Sequence, residues 1–584
     1  MNDLSTKMPH IPGDAPFSGD QKQWLSGFLA GLHSRTFMGG EGAQPVQSAA
    51  ETRYMDILFG TQTGTAEMVA TDAADKARAK GFTPRVAEMD EIEMPQLAAM
   101  ENLLVVVSTY GEGEMPDNAH QFWDALTAST APRLEALNFG VLALGDTSYE
   151  HFCQAGKLVD TRLEQLGAKR MLDRVDCDVD YEDVAEAWLA SAIPDAGPAT
   201  ASVAPAAAVP AKSGYNRKNP YVSVVNDNRI LSGAKSAKEI RHISFELGDS
   251  ALTYEAGDAL GVMPVNAPDL VQMWCDRLGV QPDGAVEGHD RALGDLLTHQ
   301  YEIMTPSRDM IRAIEGLAKD DELTHVVSNG DKEALEAYLW GKDALDLLNI
   351  NGDLNFDPAQ VLGWLKPLQH RAYSISSSSK AHPDEVHLTV AAVRWMHGAR
   401  PHRGVCSTFL ADHVPDGGTA GIFMSPNKSF RVPQDDSVPM IMVGPGTGVA
   451  PFRAFLEERR ERGASGTNWL FFGDQHRESD FIYSDEIGAF SESGVLTRLD
   501  LAFSRDQAEK IYVQHRMAEN GKDLFGQLQE GGYFYVCGDA TRMAKDVDAA
   551  LHAVVETHGG MNAEAAVDYV NKLKREKRYV RDVY

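Results

Sequence analysis

Cysteine is scarce. The 584 residues hold five, Cys153, Cys177, Cys275, Cys406 and Cys537, with no CxxC pair and no ligand spacing. That argues against a disulfide framework, an iron–sulfur centre or any other metal site, and for reduced thiols in the cytoplasm. Positive charge is short as well, with 54 Lys and Arg against 85 Asp and Glu, a formal charge of −31. Such a balance disfavours nucleic acid and anionic lipid as partners. It either keeps the chain dispersed or receives a basic protein surface. No apolar run reaches the roughly 18 residues of a membrane span, and Met1 opens a polar stretch unlike a signal peptide. The remaining composition, 43% hydrophobic, is that of an ordinary globular chain with length for roughly three or four domains.

Residues 1–51 form an N-terminal extension. Within it Trp24, Leu25, Phe28, Leu29 and Leu32 recur at helical spacing between Asp20 and Ser34, with Ser18 as a possible N-cap. Such a helix either docks on its own chain or serves as a handle for homo-oligomers, since a Gly-rich tether follows it.

From 52 to 192 short apolar runs alternate with helical patterns. Met55–Phe59, Leu103–Ser108 and Phe139–Leu144 read as buried parallel strands. The first leads into Thr61, Gln62, Thr63, Gly64, Thr65 and Ala66, then a helix whose Ala66, Val69, Ala70, Ala73 and Ala77 share a face. A hydroxyl- and Gly-rich loop entering a helix offers N–H groups to a phosphate, here with no Lys or Arg in the loop. The next two strands end in Ser108, Thr109, Tyr110, Gly111 and in Leu144, Gly145, Asp146, Tyr149, His151, Phe152, Cys153. Ligands bind at such carboxyl ends in open α/β sheets. Each loop carries a tyrosine able to flank a planar ring. The segment holds 25 Asp and Glu against 11 Lys and Arg, a rim suited to a basic electron acceptor.

An Ala/Pro tract, 193–214, is a linker that holds its neighbours at high effective concentration. From 215 to 436 the texture is β-like, with Ile243, Phe245 and Leu247 alternating, interrupted over about 266–360 by a Leu-rich helical insertion, clearest at Ala334–Leu348. The stretch His370 to Ser378 sets Arg371, Ala372, Tyr373 and Ser374 side by side: a cation, a ring and hydroxyls on one segment. Such a segment pairs with a phosphate, covers a flavin ring and bonds its edge. Gly404, Val405, Cys406 and Ser407 form a turn running into a helix, suited to a pyrophosphate.

The last domain, 437–584, opens with the strand Met440–Val443 and a Gly-rich turn containing Gly446 and Thr447; it is not a GxGxxG fingerprint. Downstream, Ser504, Arg505, Lys510, Tyr512 and Gln514 gather cations, hydroxyls and an amide that suit a 2′-phosphate. The strand Tyr533–Val536 precedes Cys537, and the sequence closes on Asp582, Val583 and Tyr584.

Taken in this order, the motifs from about 52 onward resemble the diflavin reductases, in which a flavodoxin-like domain is fused to a ferredoxin–NADP⁺-reductase-like unit. The implied architecture is multidomain α/β plus a β-barrel. The implied cofactors are FMN, FAD and NADPH, with electrons passing from NADPH to FAD to FMN and on to a separate haemoprotein. Gln23–Phe28, Asn468–Gly473 and the Arg-Asp-Val-Tyr ending are similar to the branch serving sirohaem and iron–sulfur sulfite reductases in cysteine biosynthesis. Tyr110 departs from that branch toward the eukaryotic members. By this resemblance Thr61–Ala66 take the FMN phosphate, and Tyr110 and Tyr149 stack on the ring. Arg371, Tyr373 and Ser374 hold FAD with Thr305, Thr389, Val390, Ala391 and Trp395 nearby; Asp546 joins the NADPH set. Ser374, Cys537 and Asp582 surround the nicotinamide, and Tyr584 shields the FAD ring. Two other outcomes fit the same motifs: another haem, nitrite, nitrate or monooxygenase acceptor, or a stand-alone NADPH dehydrogenase whose first domain only docks.

Overall fold

A computed structural model describes residues 53–111, 113–147, 149, 151–195 and 214–584. The amphipathic stretch 20–34 and most of the Ala/Pro tract lie outside the described residues.

The first domain is a parallel sheet of β1 (Tyr54–Gly60), β2 (Thr83–Glu88), β3 (Asn102–Ser108), β4 (Asn138–Leu144), β5 (Lys169–Arg170) and β6 (Val175–Cys177), ordered β2-β1-β3-β4-β5, with β6 also on β4. Leu103 to Val107 are all buried because helices cover both faces of the sheet. The helix Thr65–Ala79 buries Ala66, Val69, Ala70, Ala73, Ala74 and Ala77. Their small side chains let it lie close on β1 and β3, and Lys76 and Arg78 in its last turn suit the helix dipole. The strand order reverses between β1 and β3, so the loops after these two strands flank one crevice.

Asp90, just after β2, accepts the Phe122 N–H at 2.9 Å, yet burial lifts its pKa to about 6. The folded state therefore keeps a proton that the unfolded chain has released, and stability falls as pH rises from about 4 to about 6. Asp90→Asn retains an acceptor for Phe122. It is expected to raise this domain's melting temperature by a few degrees at pH 8 and leave it unchanged at pH 4. Equal effects at both pH values would reject the assignment.

The second domain is antiparallel: β7 (Tyr221–Ile230), β8 (Glu239–Glu246), β9 (Ala259–Met263), β10 (Arg371–Ser374), β11 (Glu385–Ala392) and, beyond the hairpin β12 (Arg394–His397) and β13 (Arg400–Arg403), β14 (Thr419–Ser425). The order is β10-β9-β14-β7-β8-β11, and a bridge between Ile375 and Leu388 joins its two ends into a barrel. Ile243, Phe245 and Leu247 fill the barrel as their alternation requires. His242 and Ser244, on the other face, are buried too. The following domain covers them, with the Tyr483 hydroxyl 3.0 Å from His242 Nδ1.

Helices between β9 and β10 pack around Trp274, Leu297, Met310 and Leu347. The run Ala334–Leu348 is broken there into the helices Lys332–Leu339 and Ala344–Leu348. Asp343 starts the second by a reciprocal cap with Asp346, at 3.0 and 2.9 Å, and capping outweighs the apolar period that suggested one helix.

The third domain is a five-stranded parallel sheet, β17-β16-β15-β18-β19, built from β15 (Met440–Val443), β16 (Asn468–Asp474), β17 (Arg498–Phe503), β18 (Tyr533–Gly538) and β19 (Tyr579–Val583). Its switch point lies between β15 and β18, which brings the Gly-rich turn beside Gly538 and Asp539. Among the described residues no helix is long and apolar enough to cross a membrane.

Candidate active site

The loop after β1 is closed by its own side chains and by a neighbour. The Thr61 hydroxyl accepts the N–H groups of Gly64 and Ala66 at 2.9 and 3.4 Å, and Asn118 accepts the Thr61 N–H at 2.8 Å. Gln62 bonds both ends of Asp117: it accepts that residue's N–H at 3.1 Å and donates to its carboxylate at 3.3 Å. The hydroxyls of Thr63 and Thr65 lie 3.5 Å apart on the exposed side. Gly64 has φ +87°, and a Cβ there would lie 2.7 Å from the Pro426 carbonyl oxygen of the barrel domain. The loop is a shallow cradle of N–H and hydroxyl donors, and it fits the phosphate of FMN without a cation of its own.

The second and third loops flank this cradle. Ser108 donates to the Gly60 carbonyl, and Thr109 accepts the Ala155 N–H at 3.2 Å. Tyr110 is half-buried next to Gly111, and Tyr149 is 51% exposed. Leu144 and Cys153 are buried, and Gly145, Phe152 and His151 follow an inside-to-outside gradient. Tyr149 donates its N–H to Asp146. Asp178 holds this loop in place, accepting the N–H and hydroxyl of Thr147 at 3.0 and 2.6 Å. Neither Asn118 nor Asp178 was marked by a sequence signal beyond turn composition.

In the barrel, β10 sets Arg371 half-exposed, with Glu302 accepting from it at 3.3 Å and from the Thr305 N–H at the same distance. Ala372 is exposed, and the Tyr373 phenol is pushed far up by burial. Gly404 precedes the one-turn helix Val405–Thr408; the Ser407 hydroxyl accepts the Val393 N–H at 3.2 Å. An arginine fork, a ring and a helix start on adjoining strands make a donor set suited to the FAD diphosphate and ring. The neighbouring side chains are engaged within the protein. The Thr389 hydroxyl lies 2.8 Å from that of Tyr483, Val390 is in the barrel core, and the Cys406 thiol faces the Val262 carbonyl. Trp395 donates to the Gly341 carbonyl at 2.9 Å and stacks on His402. Ala391 remains partly accessible.

Three polar groups meet where β10 faces β18 and β19. The Ser374 hydroxyl donates to Asp582 Oδ2 at 2.5 Å, and the Cys537 thiol lies 3.8 Å from the same oxygen. Burial raises the Asp582 carboxyl against the pull of those two donors. Burial, then the neighbouring Asp582, drives the Cys537 thiol far up, so it stays a neutral donor. Tyr584 is 62% exposed, with its hydroxyl 2.9 Å from that of Thr447. Thr447 belongs to the turn Gly446–Val449. A Cβ on Gly448 would lie 2.1 Å from the Cys537 carbonyl oxygen. Only glycine lets the turn approach β18 so closely, as a nucleotide cradle requires.

Farther out, Ser504 is bonded to the Asp474 carbonyl, Gln514 donates to Asp546 at 3.0 Å, and Arg505, Lys510 and Tyr512 are exposed around them. This set fits a 2′-phosphate. Among the described residues two clusters have the proximity of metal ligands, His382 with Glu385 and His387, and Asp343 with Asp346 and His402. In each a guanidinium already supplies positive charge, Arg453 at His387 and Arg400 at Asp343.

The first domain docks over this site through ion pairs in which it supplies the acids. Arg581 makes a fork with Asp117, Lys577 pairs with Glu88, and Lys428 with Glu67 at 2.9 Å. On the other side Arg217 pairs with Glu182 at 2.6 Å, Lys218 with Asp183 at 2.9 Å, and Lys366 lies 3.8 Å from Asp178.

The flavodoxin family model matches residues 57–188, the FAD binding domain model 214–409, and the oxidoreductase NAD-binding domain model 442–549. Fold and cradles together define a diflavin oxidoreductase whose cofactors are FMN, FAD and NADPH. The chain is 44% identical over 577 residues to the sulfite reductase [NADPH] flavoprotein alpha-component of Bacillus subtilis, covering 97% of this chain and 95% of that protein. Proteins of the same name from Vibrio cholerae and a Shewanella strain are 41% and 42% identical, over 97% and 98% of this chain and 94% and 96% of theirs. The chain belongs to the family of NADPH sulfite reductase flavoprotein alpha-components.

Proposed function

We propose that this protein draws electrons from NADPH and delivers them, through FAD and then FMN, to a sirohaem and iron–sulfur haemoprotein that reduces sulfite to sulfide in cysteine biosynthesis. The observation that carries this reading is the docking: the first loop and its helix meet the barrel domain at Pro426 and Lys428, and Arg581 ties Asp117, beside that loop, to the strand bearing Asp582. When bound, the cofactors supply a hydride from nicotinamide to FAD and the division of that pair into single electrons.

The residues of the chain bind and orient. Arg505, Lys510, Tyr512, Gln514 and Ser504 would select the 2′-phosphate, with Asp546 holding Gln514. Ser374, Cys537 and Asp582 would line the nicotinamide; Asp582 would stabilise the positive charge that develops as hydride leaves, and Ser374 and Cys537 hold its carboxylate by donating to it. Tyr584 would cover the FAD ring and exclude water until nicotinamide displaces it. Arg371, Tyr373 and Gly404–Ser407 would hold FAD, and Thr61–Ala66, Tyr110 and Tyr149 would hold FMN.

The division 52–192, 193–214, 215–436 and 437–584 into FMN domain, linker, FAD barrel and NADPH domain is our reading, supported by the matched spans. The linker would let the FMN domain leave its dock to meet the haemoprotein. A cytoplasmic site of action is supported by five free cysteines and no disulfide. The pattern at 20–34 supports self-association through the N-terminal segment.

Mixing the protein with the sirohaem haemoprotein is expected to give saturable, sulfite-dependent NADPH oxidation with sulfide as product. No turnover beside brisk cytochrome c reduction would reject sulfite as the electron sink. FAD without FMN in the purified chain would reject the relay itself.

A further inference from the structure

We infer that docking sets the direction of electron flow by cancelling negative charge beside the FMN cradle, with Arg581 neutralising Asp117, Lys577 neutralising Glu88 and Lys428 neutralising Glu67. The inference rests on the relay proposed above and adds to it a change in the electron affinity of the FMN site between docked and released states.

The three carboxylates belong to the cradle's surroundings. Asp117 is bonded to Gln62 of the first loop through both its N–H and its carboxylate. Glu67 stands in the first turn of the helix that this loop enters, and it is buried. Glu88 ends β2, is buried, and also accepts from Ser429 at 2.5 Å. The first loop has no cation of its own, and among the described residues each of these three carboxylates pairs with a cation of another domain. Arg581 and Lys577 come from or beside β19, and Lys428 follows β14. Both members of the Arg581–Asp117 pair act at the position of Tyr110: burial first and then Asp117 raise its phenol, while Arg581 pulls it back.

Adding an electron to the FMN site adds negative charge there unless a proton accompanies it. Uncompensated carboxylates oppose that addition and favour its reversal. In the dock the cations remove this opposition, so the electron arriving from FAD is held. On release the cations stay behind on the barrel and nucleotide-binding domains, the three carboxylates are left uncompensated, and the same electron is given up more readily to the acceptor. One partly screened charge at about 10 Å changes such an equilibrium about fivefold.

The test is a dye-equilibrated reductive titration of the full chain carrying both flavins, at low salt, with docking followed by small-angle scattering. Arg581→Gln is expected to lower the ratio of reduced to oxidised FMN about fivefold at a fixed ambient potential. Arg581→Lys should keep most of the wild-type value. Adding Asp117→Asn to Arg581→Gln should restore it to within about twofold, because the unpaired charge is gone; a purely structural role for Arg581 predicts no restoration. Lys428→Gln, at an exposed lysine, gives a smaller shift of the same sign. An FMN potential that does not move in Arg581→Gln, or a double variant that stays low, overturns the inference while leaving the relay intact. A chain without FMN overturns both.

Discussion

Asp582→Asn is expected to slow FAD reduction by NADPH about 100-fold in stopped-flow while both flavins stay bound. The carboxylate is held from two sides, by Ser374 at 2.5 Å and Cys537 at 3.8 Å. In the site we propose, its charge would face the nicotinamide as that ring becomes positive on hydride departure. Removing one such preorganised group typically costs about 3 kcal/mol of transition-state stabilisation. The neutral amide also removes a titration. Burial raises the Asp582 carboxyl, so the wild-type rate should fall as pH drops through a value above the usual carboxylate range, and the variant should be flat there. A variant with normal hydride transfer, or one that keeps the acid limb, would remove Asp582 from the mechanism.

Tyr584→Ala is expected to raise kcat/KM for NADH about 100-fold and that for NADPH far less. The ring is held by one hydroxyl contact, 2.9 Å to Thr447, and is 62% exposed. Nicotinamide must take the place we assign to this ring, and displacing it costs binding energy. NADPH would recover that energy through the 2′-phosphate contacts we assign to Arg505 and Lys510; NADH lacks the phosphate. Deleting the ring removes the cost for both and so narrows the preference. An unchanged NADH to NADPH ratio in steady-state assays would show that Tyr584 does not cover the ring.

Sequence patterning carries much of this architecture because buried parallel strands are legible. Met55–Phe59 and Phe139–Leu144 lie within β1 and β4, and the helix entered from Thr65 buries the face that its alanines mark. Local motifs were legible for the same reason: Thr61–Ala66 and Gly446–Thr447 are short and continuous. What could not be read is what tertiary contacts decide. Nothing near Thr389 announces that its hydroxyl turns to Tyr483, about 90 residues on in the sequence, nor that Trp395 packs on the insertion. Asp117 and Asp178 look like ordinary surface acids. Only the fold brings Arg581 and Lys366 to them, and with that the acidic bias of the first domain gains counter-charges within the same chain.

The seam between the barrel and the last domain differs in kind from the dock. Arg453, on the helix after the Gly-rich turn, is buried between Glu457 and Glu486, donates to the Ser376 carbonyl at 2.6 Å and reaches His387. On the same helix Glu457 and Glu458 accept from Ser378. The segment carrying Arg371–Ser374 is thus braced by a helix of the neighbouring domain, through charges that would be costly to strand. For anyone building chimeras among relatives, that seam is the wrong place to cut. The FAD and nucleotide portions should be inherited as one block, while a foreign flavodoxin-like domain can be spliced on beyond Ile193, which is buried in the first domain's core, provided it brings acids to meet Arg581, Lys577 and Lys428.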